Sequence, residues 1–305
     1  MKDKVDLAVA EVSKVLLGKE KQIRLALCCM FAGGHLLLED KPGMGKTTLS
    51  QALARVFGLD YNRIQFTSDL LPADILGVTI YNQKNSEFSF HPGPIFSNLV
   101  LADEINRTTP KTQSALLEAM EEGQVSFDGK TRPLPKPFFV VATQNPINFS
   151  GTYPLPESQL DRFLMRLVIG YPDPKAEREL LLKQNQQSSL DDVRQCLSAD
   201  DILNINNRIA AVHATDTLLD YVQRLVAYTR QSDKFTFGLS PRGALALMRS
   251  ARTWALMHDR EHVLPEDVQT VLPPVVDHRL RSLADNSGRA GAAHTQQLLN
   301  EVDMF

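Results

Sequence analysis

The segment EDKPGMGKTT, residues 39–48, places glycines, a lysine and hydroxyl side chains in the order that a phosphate-binding loop uses. Gly43 and Gly45 allow the backbone to turn its N–H groups inward around an anion. Lys46 would then reach the β- and γ-phosphates of a nucleoside triphosphate, and the Thr47 hydroxyl would ligate Mg²⁺. The segment therefore predicts a nucleotide site with ATP and Mg²⁺ as its ligands.

Asp40 stands where the common form of this loop has its first glycine. Aspartate tolerates unusual turn geometry better than most non-glycine residues, and its charge predicts a side chain that points away from the phosphates. A chance turn rich in glycine stays an alternative for this segment taken alone. The residues that we expect to contact nucleotide are Pro42, Gly43, Met44, Gly45, Lys46, Thr47 and Thr48.

Two adjacent acids, Asp103 and Glu104, end the apolar run LVLAD. The carboxyl ends of parallel strands line the ligand crevice of an open sheet, so these acids are expected near the phosphates. Asp103 would hold Mg²⁺ through water, together with Thr47, and Glu104 would orient and polarise the attacking water. Acids at strand ends are also common on solvent-facing loops, and the pair is informative only in combination with the lysine loop.

Asn145 and Arg162 are the next candidates along the chain. Asn145 follows the run FFVVATQ, where a short amide can hydrogen-bond both a γ-phosphate and the water; an Asn-Pro turn is the structural alternative. Arg162 precedes the last apolar run, and an arginine there could neutralise charge in the transition state of phosphoryl transfer. The alternative for Arg162 is an ion pair with Asp161, Glu157 or another neighbour.

Arg242 lies in the segment GLSPRGALAL, which has the signature of a helix start. Ser240 suits the N-cap and Pro241 the first helical position. Arg242 then falls in the first turn, where the helix dipole disfavours a cation. We therefore expect an anionic partner for Arg242, such as a γ-phosphate in a cleft between two domains.

These residues must be positioned by a parallel sheet. Continuous apolar runs alternate with helical patterns up to about residue 170, which indicates an α/β domain of five parallel strands with helices on both faces. GYPDP, residues 170–174, interrupts this pattern, and only helical patterns follow. We predict a nucleotide-binding domain over residues 1–172 and an all-helical lid over 173–305, whose flexible C-terminal tail leads to a short last helix. The expected strands are residues 35–39, 63–66, 99–103, 138–143 and 164–169.

Two insertions in the α/β half are predicted as β-hairpins. Residues 78–90 alternate around an Asn-rich centre, and residues 124–135 turn at Asp128-Gly129, a strong hairpin signal. Hairpins are not needed to cover a parallel sheet, so we expect them to contact a partner or a substrate.

Composition is that of a soluble globular protein. The chain has 305 residues, of which 43% are apolar and 23% charged, with a net charge of −3. This charge makes nucleic acid an unlikely partner. There is no apolar run of roughly 20 residues that could span a bilayer. The first residues read as an amphipathic helix rather than a signal peptide, and we expect a cytoplasmic protein.

Taken together, the motifs resemble those of the MoxR family of AAA+ ATPases. The matching segments include LLLEDKPGMGKTTL, LPADILG, GPIFSNLVLADEINRTTPKTQSALLEAMEEGQVSFDG, GTYPLPESQLDRFLM and GLSPRGALAL. The resemblance implies that Asp40 is tolerated, that hairpin 78–90 interrupts the second helix of the domain, and that Arg107 is an extra arginine near a subunit boundary. It also implies ring-shaped oligomers, commonly hexamers. Such rings act as chaperones that assemble or activate other complexes, often with a partner carrying a von Willebrand factor A domain.

The sequence thus favours an ATPase that hydrolyses ATP to ADP and phosphate and remodels partner proteins. A nucleic-acid-dependent ATPase motor is the alternative; the net charge and the lack of a dedicated binding domain argue against it. A nucleotide-binding scaffold without catalysis is a third hypothesis, and intact Lys46, Asp103 and Glu104 argue against that.

Overall fold

The computed structural model of the chain describes residues 1–84, 86–145, 151–182, 190–282 and 293–304. Its strands are β1 His35–Glu39, β2 Tyr61–Gln65, β3 Gly77–Asn82, β4 Glu87–Pro92, β5 Leu99–Asp103, β6 Gln124–Phe127, β7 Lys130–Pro133, β8 Phe139–Gln144, β9 Phe163–Leu167, β10 Phe235–Phe237 and β11 Arg281–Ser282. Its α-helices are α1 Lys2–Ser13, α2 Glu20–Phe31, α3 Lys46–Phe57, α4 Pro72–Leu76, α5 Pro110–Glu122, α6 Glu157–Leu160, α7 Pro174–Leu182, α8 Ala199–Ile209, α9 Asp216–Gln231, α10 Pro241–Met257, α11 Pro265–Val276 and α12 Ala293–Glu301.

Five of these strands form one parallel sheet in the order β2-β5-β8-β1-β9. Helices pack on both faces of the sheet, and the central strands β5 and β8 are buried throughout. The predicted five-stranded α/β fold is confirmed. Because all five strands run the same way, the carboxyl ends of β1, β5 and β8 meet at one edge, which is where the predicted chemistry lies.

Strands β1 and β5 have the predicted bounds, whereas the ends of β2, β8 and β9 differ from prediction by one or two residues. The edge strand β2 begins at Tyr61 rather than Arg63, since its backbone pairs with β5 from Tyr61 onward although Asn62 and Arg63 are exposed. Apolar patterning did not detect Tyr61 and Asn62 as part of the strand, because backbone pairing at a sheet edge does not require a buried side chain.

Both predicted hairpins are present. β3 pairs with β4 directly after the short helix α4, and β6 pairs with β7 through a turn in which Asp128 and Gly129 have φ of 50° and 71°. The two hairpins contact each other, because the ring of Phe90 lies 6.4 Å from that of Phe127 and 3.8 Å from the guanidinium carbon of Arg132. They form one structural unit beside the sheet.

The second half of the chain is mainly helical. Ser198 caps α8 by accepting a hydrogen bond from the Asp201 amide at 3.2 Å, and Ser240 caps α10 as predicted. The expectation of helices alone was wrong in one place: β10 pairs with β11 in a short antiparallel ribbon, which satisfies backbone groups after α9 and α11. The predicted last helix is confirmed as α12, whereas the segment 283–292, expected to be flexible, lies outside the described residues.

The two halves share apolar core and polar contacts. Helix α2 packs against α8 and α10, and α11 packs against β9. Arg279, which is buried after α11, donates hydrogen bonds to the Phe163 carbonyl at 2.7 Å and to Asp161 Oδ1 at 2.6 Å. The domain boundary at residue 172 stays a prediction. In the described part of the chain, no helix is long and apolar enough to cross a membrane.

Candidate active site

A glycine loop connects β1 to α3 at the edge where the strands end. Gly43 and Gly45 both have left-handed backbone geometry, with φ of 82° and 85°, and α3 begins at the next residue, Lys46. An added Cβ at position 45 would also lie 2.8 Å from Leu16 Cδ1, so the Leu16 side chain would have to shift. Glycine is therefore required here to open a helix whose first N–H groups can receive an anion.

Lys46 is buried, and its ammonium group lies against the loop, where neutral oxygens accept its hydrogen bonds. It donates hydrogen bonds to Asn145 Oδ1 at 3.0 Å, to the Lys41 carbonyl at 3.3 Å and to the Asp40 carbonyl. Burial lowers the pKa of Lys46, and the nearby carboxylates of Asp40 and Asp103 oppose that shift. The site thus presents a partly desolvated cation, which is favourable for binding a phosphate group.

The acids at the end of β5 face the loop. Glu104 has φ of 58°, in the left-handed region, and its Oε1 accepts a hydrogen bond of 2.8 Å from the Asn145 side-chain amide. Asp103 Oδ2 accepts two hydrogen bonds from Arg63, at 2.7 and 3.2 Å. Asn145 therefore bridges Lys46, the first residue of α3, and Glu104, which follows β5.

These residues line a cavity of about 360 Å³. Thr47 and Asp103 face it together, which is the oxygen donor set that Mg²⁺ prefers. The cavity is lined by Pro42, Gly43, Gly45, Lys46, Thr47, Thr48, Asp103, Glu104 and Asn145. Among the expected nucleotide contacts Met44 is the exception, because its side chain packs against the apolar core.

Asp40 turns away from this cavity. Its Oδ1 accepts a hydrogen bond from the Lys41 amide at 2.8 Å, and its Oδ2 accepts one from the Gly170 amide at 2.6 Å. This orientation agrees with the expectation that the carboxylate avoids the phosphates.

Arg162 and Arg242 lie elsewhere in the chain. They line a second cavity of about 240 Å³ beside His35, the first residue of β1, whereas the phosphate loop follows the last residue of that strand. Both arginines pair with one carboxylate, that of Glu121, at 3.0 Å from Arg162 Nη2 and by a direct contact from Arg242. The anionic partner expected for Arg242 is thus Glu121 rather than a phosphate in the same subunit. The alternative ion pair considered for Arg162 likewise forms with Glu121, because Asp161 is engaged by Arg279.

Comparisons with known proteins agree with this geometry. A profile described as the ATPase family associated with various cellular activities (AAA) matches residues 35–165, and an AAA lid domain profile matches residues 227–302. The chain is 42% identical to chaperone MoxR1 of Mycobacterium tuberculosis over 285 residues, which cover 90% of this chain and 75% of that protein. The chain belongs to the MoxR family of AAA+ ATPases. Nucleotide binding and an ATPase scaffold come with that membership.

Two further proteins are similar to this chain over nearly its whole length. It is 49% identical over 273 residues to the uncharacterized protein YeaC of Bacillus subtilis, covering 90% of this chain and 85% of that one. A crystal structure of a Cytophaga hutchinsonii protein, proposed to be an ATPase, superposes with a TM-score of 0.89 at 39% identity, covering 99% and 95% of the two chains. The similarity to chaperone MoxR1 favours the chaperone interpretation over a nucleic-acid motor.

Three polar residues of this MoxR-family site, Thr143, Gln65 and Arg63, were not singled out from the sequence. The Thr143 hydroxyl donates to Asp103 Oδ1 at 2.6 Å and accepts from the Glu104 amide at 2.8 Å. Glu104 Oε2 accepts a hydrogen bond from Gln65 at 3.1 Å and pairs with Arg107 at 3.0 Å. The signal available for Gln65 and Thr143 was a polar residue near the carboxyl end of β2 or β8. Arg63, which lies within β2 and donates to Asp103, is the third missed residue. Arg107, by contrast, was expected near a subunit boundary.

Proposed function

We propose that this MoxR-family protein hydrolyses ATP to ADP and phosphate and uses the cycle, as a ring-shaped oligomer, to remodel or activate partner complexes. The observation that carries the proposal is the continuous polar cluster of Lys46, Asn145 and Glu104 across the cavity at the glycine loop. A scaffold that only bound nucleotide would not need a glutamate connected to the phosphate-binding lysine in this way.

The proposed roles follow from position. Lys46 and the backbone N–H groups of residues 43–48 bind the triphosphate and neutralise charge on it. Asn145 moves its hydrogen bonds from these side chains to the γ-phosphate and the attacking water. Glu104 accepts a hydrogen bond from that water and so aligns it for in-line attack. A bond from the water oxygen to the γ-phosphorus then forms, the bond to the bridging oxygen of ADP breaks, and the proton of the water passes to the Glu104 carboxylate.

Thr47 and Asp103 are the proposed Mg²⁺ ligands. The fit rests on the Thr47 hydroxyl and the Asp103 carboxylate facing one cavity, where Asp103 keeps unused acceptor capacity beside its contacts with Thr143 and Arg63. When bound, Mg²⁺ supplies positive charge to the β- and γ-phosphates. Thr143 holds the carboxylate of Asp103 toward the cavity.

Arg162 and Arg242 are proposed to act on the nucleotide of a neighbouring subunit. Both lie outside the phosphate cavity of their own chain, and both are partly exposed beside Glu121. In a ring, this arginine pair of one subunit would face the phosphate loop of the next, and a hexamer is the arrangement that the family resemblance favours. The same resemblance supports a partner protein with a von Willebrand factor A domain.

Mixing two inactive variants tests this proposal. Glu104→Gln subunits lack the water-orienting carboxylate but keep both arginines, whereas Arg162→Ala subunits have the reverse defect. Each variant alone is expected to lose phosphate release, and a mixture is expected to recover part of it, because some interfaces then combine an intact Glu104 with an intact Arg162. A mixture as inactive as its components would contradict action between subunits, and a wild-type oligomer without phosphate release would contradict the ATPase itself.

The cytoplasmic location stays a prediction that cell fractionation would test.

A further inference from the structure

Asp40 connects the phosphate loop to the segment that leads from the sheet into the second half of the chain. Asp40 is only 8% exposed, and its two carboxylate oxygens accept hydrogen bonds from different parts of the chain. Oδ1 accepts from the Lys41 amide within the loop, and Oδ2 accepts from the Gly170 amide, 130 positions away. The side chain that replaces a glycine in the common loop pattern therefore makes a specific long-range contact.

Gly170 lies within the link between β9 and α7, residues 168–173, and this link is held at a second point. Gly170 has φ of 70°, a left-handed geometry that favours glycine, so the chain turns sharply here. The next residue, Tyr171, accepts a 2.6 Å hydrogen bond at its carbonyl from the buried Lys19. The Lys41 ammonium lies 5.4 Å from the centre of the Tyr171 ring. The link thus rests directly against residues 40 and 41.

Lys46 joins this contact to the nucleotide cavity. Its ammonium group donates to the main-chain carbonyls of Asp40 and Lys41, the two residues that hold the link. A phosphate bound at Lys46 would compete with the two carbonyls for the three N–H donors of its ammonium group. The peptide groups of residues 40 and 41 then lose one restraint, while the Asp40 carboxylate still holds the Gly170 amide.

We propose that Asp40 is a positioning residue that transmits phosphate binding at Lys46 to the link at Gly170, and through the link to the helical part of the chain. The proposal rests on the proposed nucleotide function and adds a route by which that site changes the position of the helices. Coupling of this kind requires one structural element whose position depends on both the phosphate site and the link. The Asp40 peptide group with its carboxylate is that element.

Asp40→Gly is the direct test, because it restores the common loop pattern and removes the side chain that accepts the Gly170 hydrogen bond; Asp40→Asn, which keeps the Cβ, controls for the added backbone freedom of glycine. Hydrogen exchange is measured with and without ATP, in the background of Glu104→Gln to prevent turnover. In the parent protein we expect ATP to slow exchange in residues 43–48 and to alter exchange in residues 168–173. With Asp40→Gly, we expect the first effect to remain and the second to disappear. Exchange of the Gly170 amide without nucleotide should become roughly tenfold faster, because its acceptor is gone. Asp69→Asn, at an exposed position, is the matched control and should behave as the parent.

Steady-state kinetics give an independent measurement. In the otherwise wild-type protein, Asp40→Gly is expected to change KM less than about twofold and to lower kcat about tenfold, as loss of coupling without loss of binding requires. Asp40→Asn, which keeps one acceptor oxygen, should restore part of kcat, and it carries the test if Asp40→Gly does not fold. An ATP-dependent change in residues 168–173 that is as large in either variant as in the parent would overturn the proposal. Absence of ATP protection at residues 43–48 in the parent would instead contradict the proposed nucleotide function.

Discussion

The Asn145 side-chain amide donates a 2.8 Å hydrogen bond to Glu104 Oε1, although the two residues follow different strands of the sheet. The same Asn145 side chain accepts a hydrogen bond from Lys46 through its oxygen. One amide therefore connects the proposed phosphate-binding cation to the proposed water-orienting carboxylate. This connection is possible only because β8 lies between β1 and β5 in the sheet.

Replacement of Glu104 by glutamine is expected to abolish hydrolysis while nucleotide binding is retained. The amide has nearly the same shape but cannot accept a proton from water, and we expect kcat to fall by at least about 100-fold. Phosphate release and titration with a fluorescent ATP analogue measure the two properties separately. Glu122→Gln, at an exposed position at the end of α5, is the control. Unchanged turnover in Glu104→Gln would exclude the assigned role, and the same variant is suited to capturing partner complexes in the ATP state.

Thr143 is expected to matter for hydrolysis through its two neighbours. Thr143→Val keeps the shape of the side chain but removes the hydrogen bonds to Asp103 and to the Glu104 amide. We expect kcat to decrease about tenfold and the Mg²⁺ concentration for half-maximal activity to rise, because the Asp103 carboxylate is no longer oriented. Thr131→Val in hairpin β6–β7 removes an exposed hydrogen bond with Ser126 and is the matched control. A Mg²⁺ dependence identical to that of the wild type would contradict this role.

The tip of hairpin β3–β4 is expected to contribute to partner binding. The side chains of Tyr81 and Phe88 are 48% and 75% exposed, and their rings lie 5.1 Å apart on one face of the hairpin. Replacing both by serine should weaken capture of partner proteins about tenfold or more, because exposed aromatic pairs are frequent anchors of interfaces. Basal phosphate release should not change, since neither residue lines the phosphate cavity. Partner capture equal to that of the wild type would exclude the hairpin tip as a docking surface.

His35 is expected to make stability depend on pH. Its Nδ1 accepts a hydrogen bond from the Val140 amide at 3.0 Å, its Nε2 donates to the Met120 carbonyl at 3.1 Å, and burial lowers its pKa to about 4. The unfolded chain, with a histidine pKa near 6.5, binds a proton at a higher pH than the folded chain. The stabilising contribution of neutral His35 is therefore present above about pH 6.5 and is lost as the pH falls toward 4.

Urea unfolding at pH 7 and pH 5 measures this effect. His35→Gln should be less stable than the wild type at pH 7, but its free energy of unfolding should fall by about 2 kcal/mol less between the two pH values. Comparing the change in unfolding free energy of the wild type with that of His35→Gln removes the contribution of other titrating groups. One such group is Asp277, whose pKa burial raises to about 6. His91→Gln, at an exposed position, should show the wild-type pH dependence. An equal loss of stability in wild type and His35→Gln would contradict this explanation.

The sequence by itself determined which local structures form. Gly43, Gly45 and Lys46 specify the loop and the start of α3 through backbone geometry, and the apolar runs specify strands because a parallel sheet buries both faces. Ser240 marks a helix start for an equally local reason, since its side chain accepts a hydrogen bond from the Gly243 amide, three residues away. These predictions were confirmed because they depend on neighbours along the chain.

Only the tertiary structure decided which distant residues share a partner. It placed Asn145 between Lys46 and Glu104, but it paired Arg162 and Arg242 with Glu121 on another part of the molecule. No local pattern reports such distances, because they depend on the order of the strands and on how the helical half packs against β9 and α2. For the same reason, the sequence showed Asp40 as a departure from a motif, whereas the structure showed its carboxylate bound to the Gly170 amide.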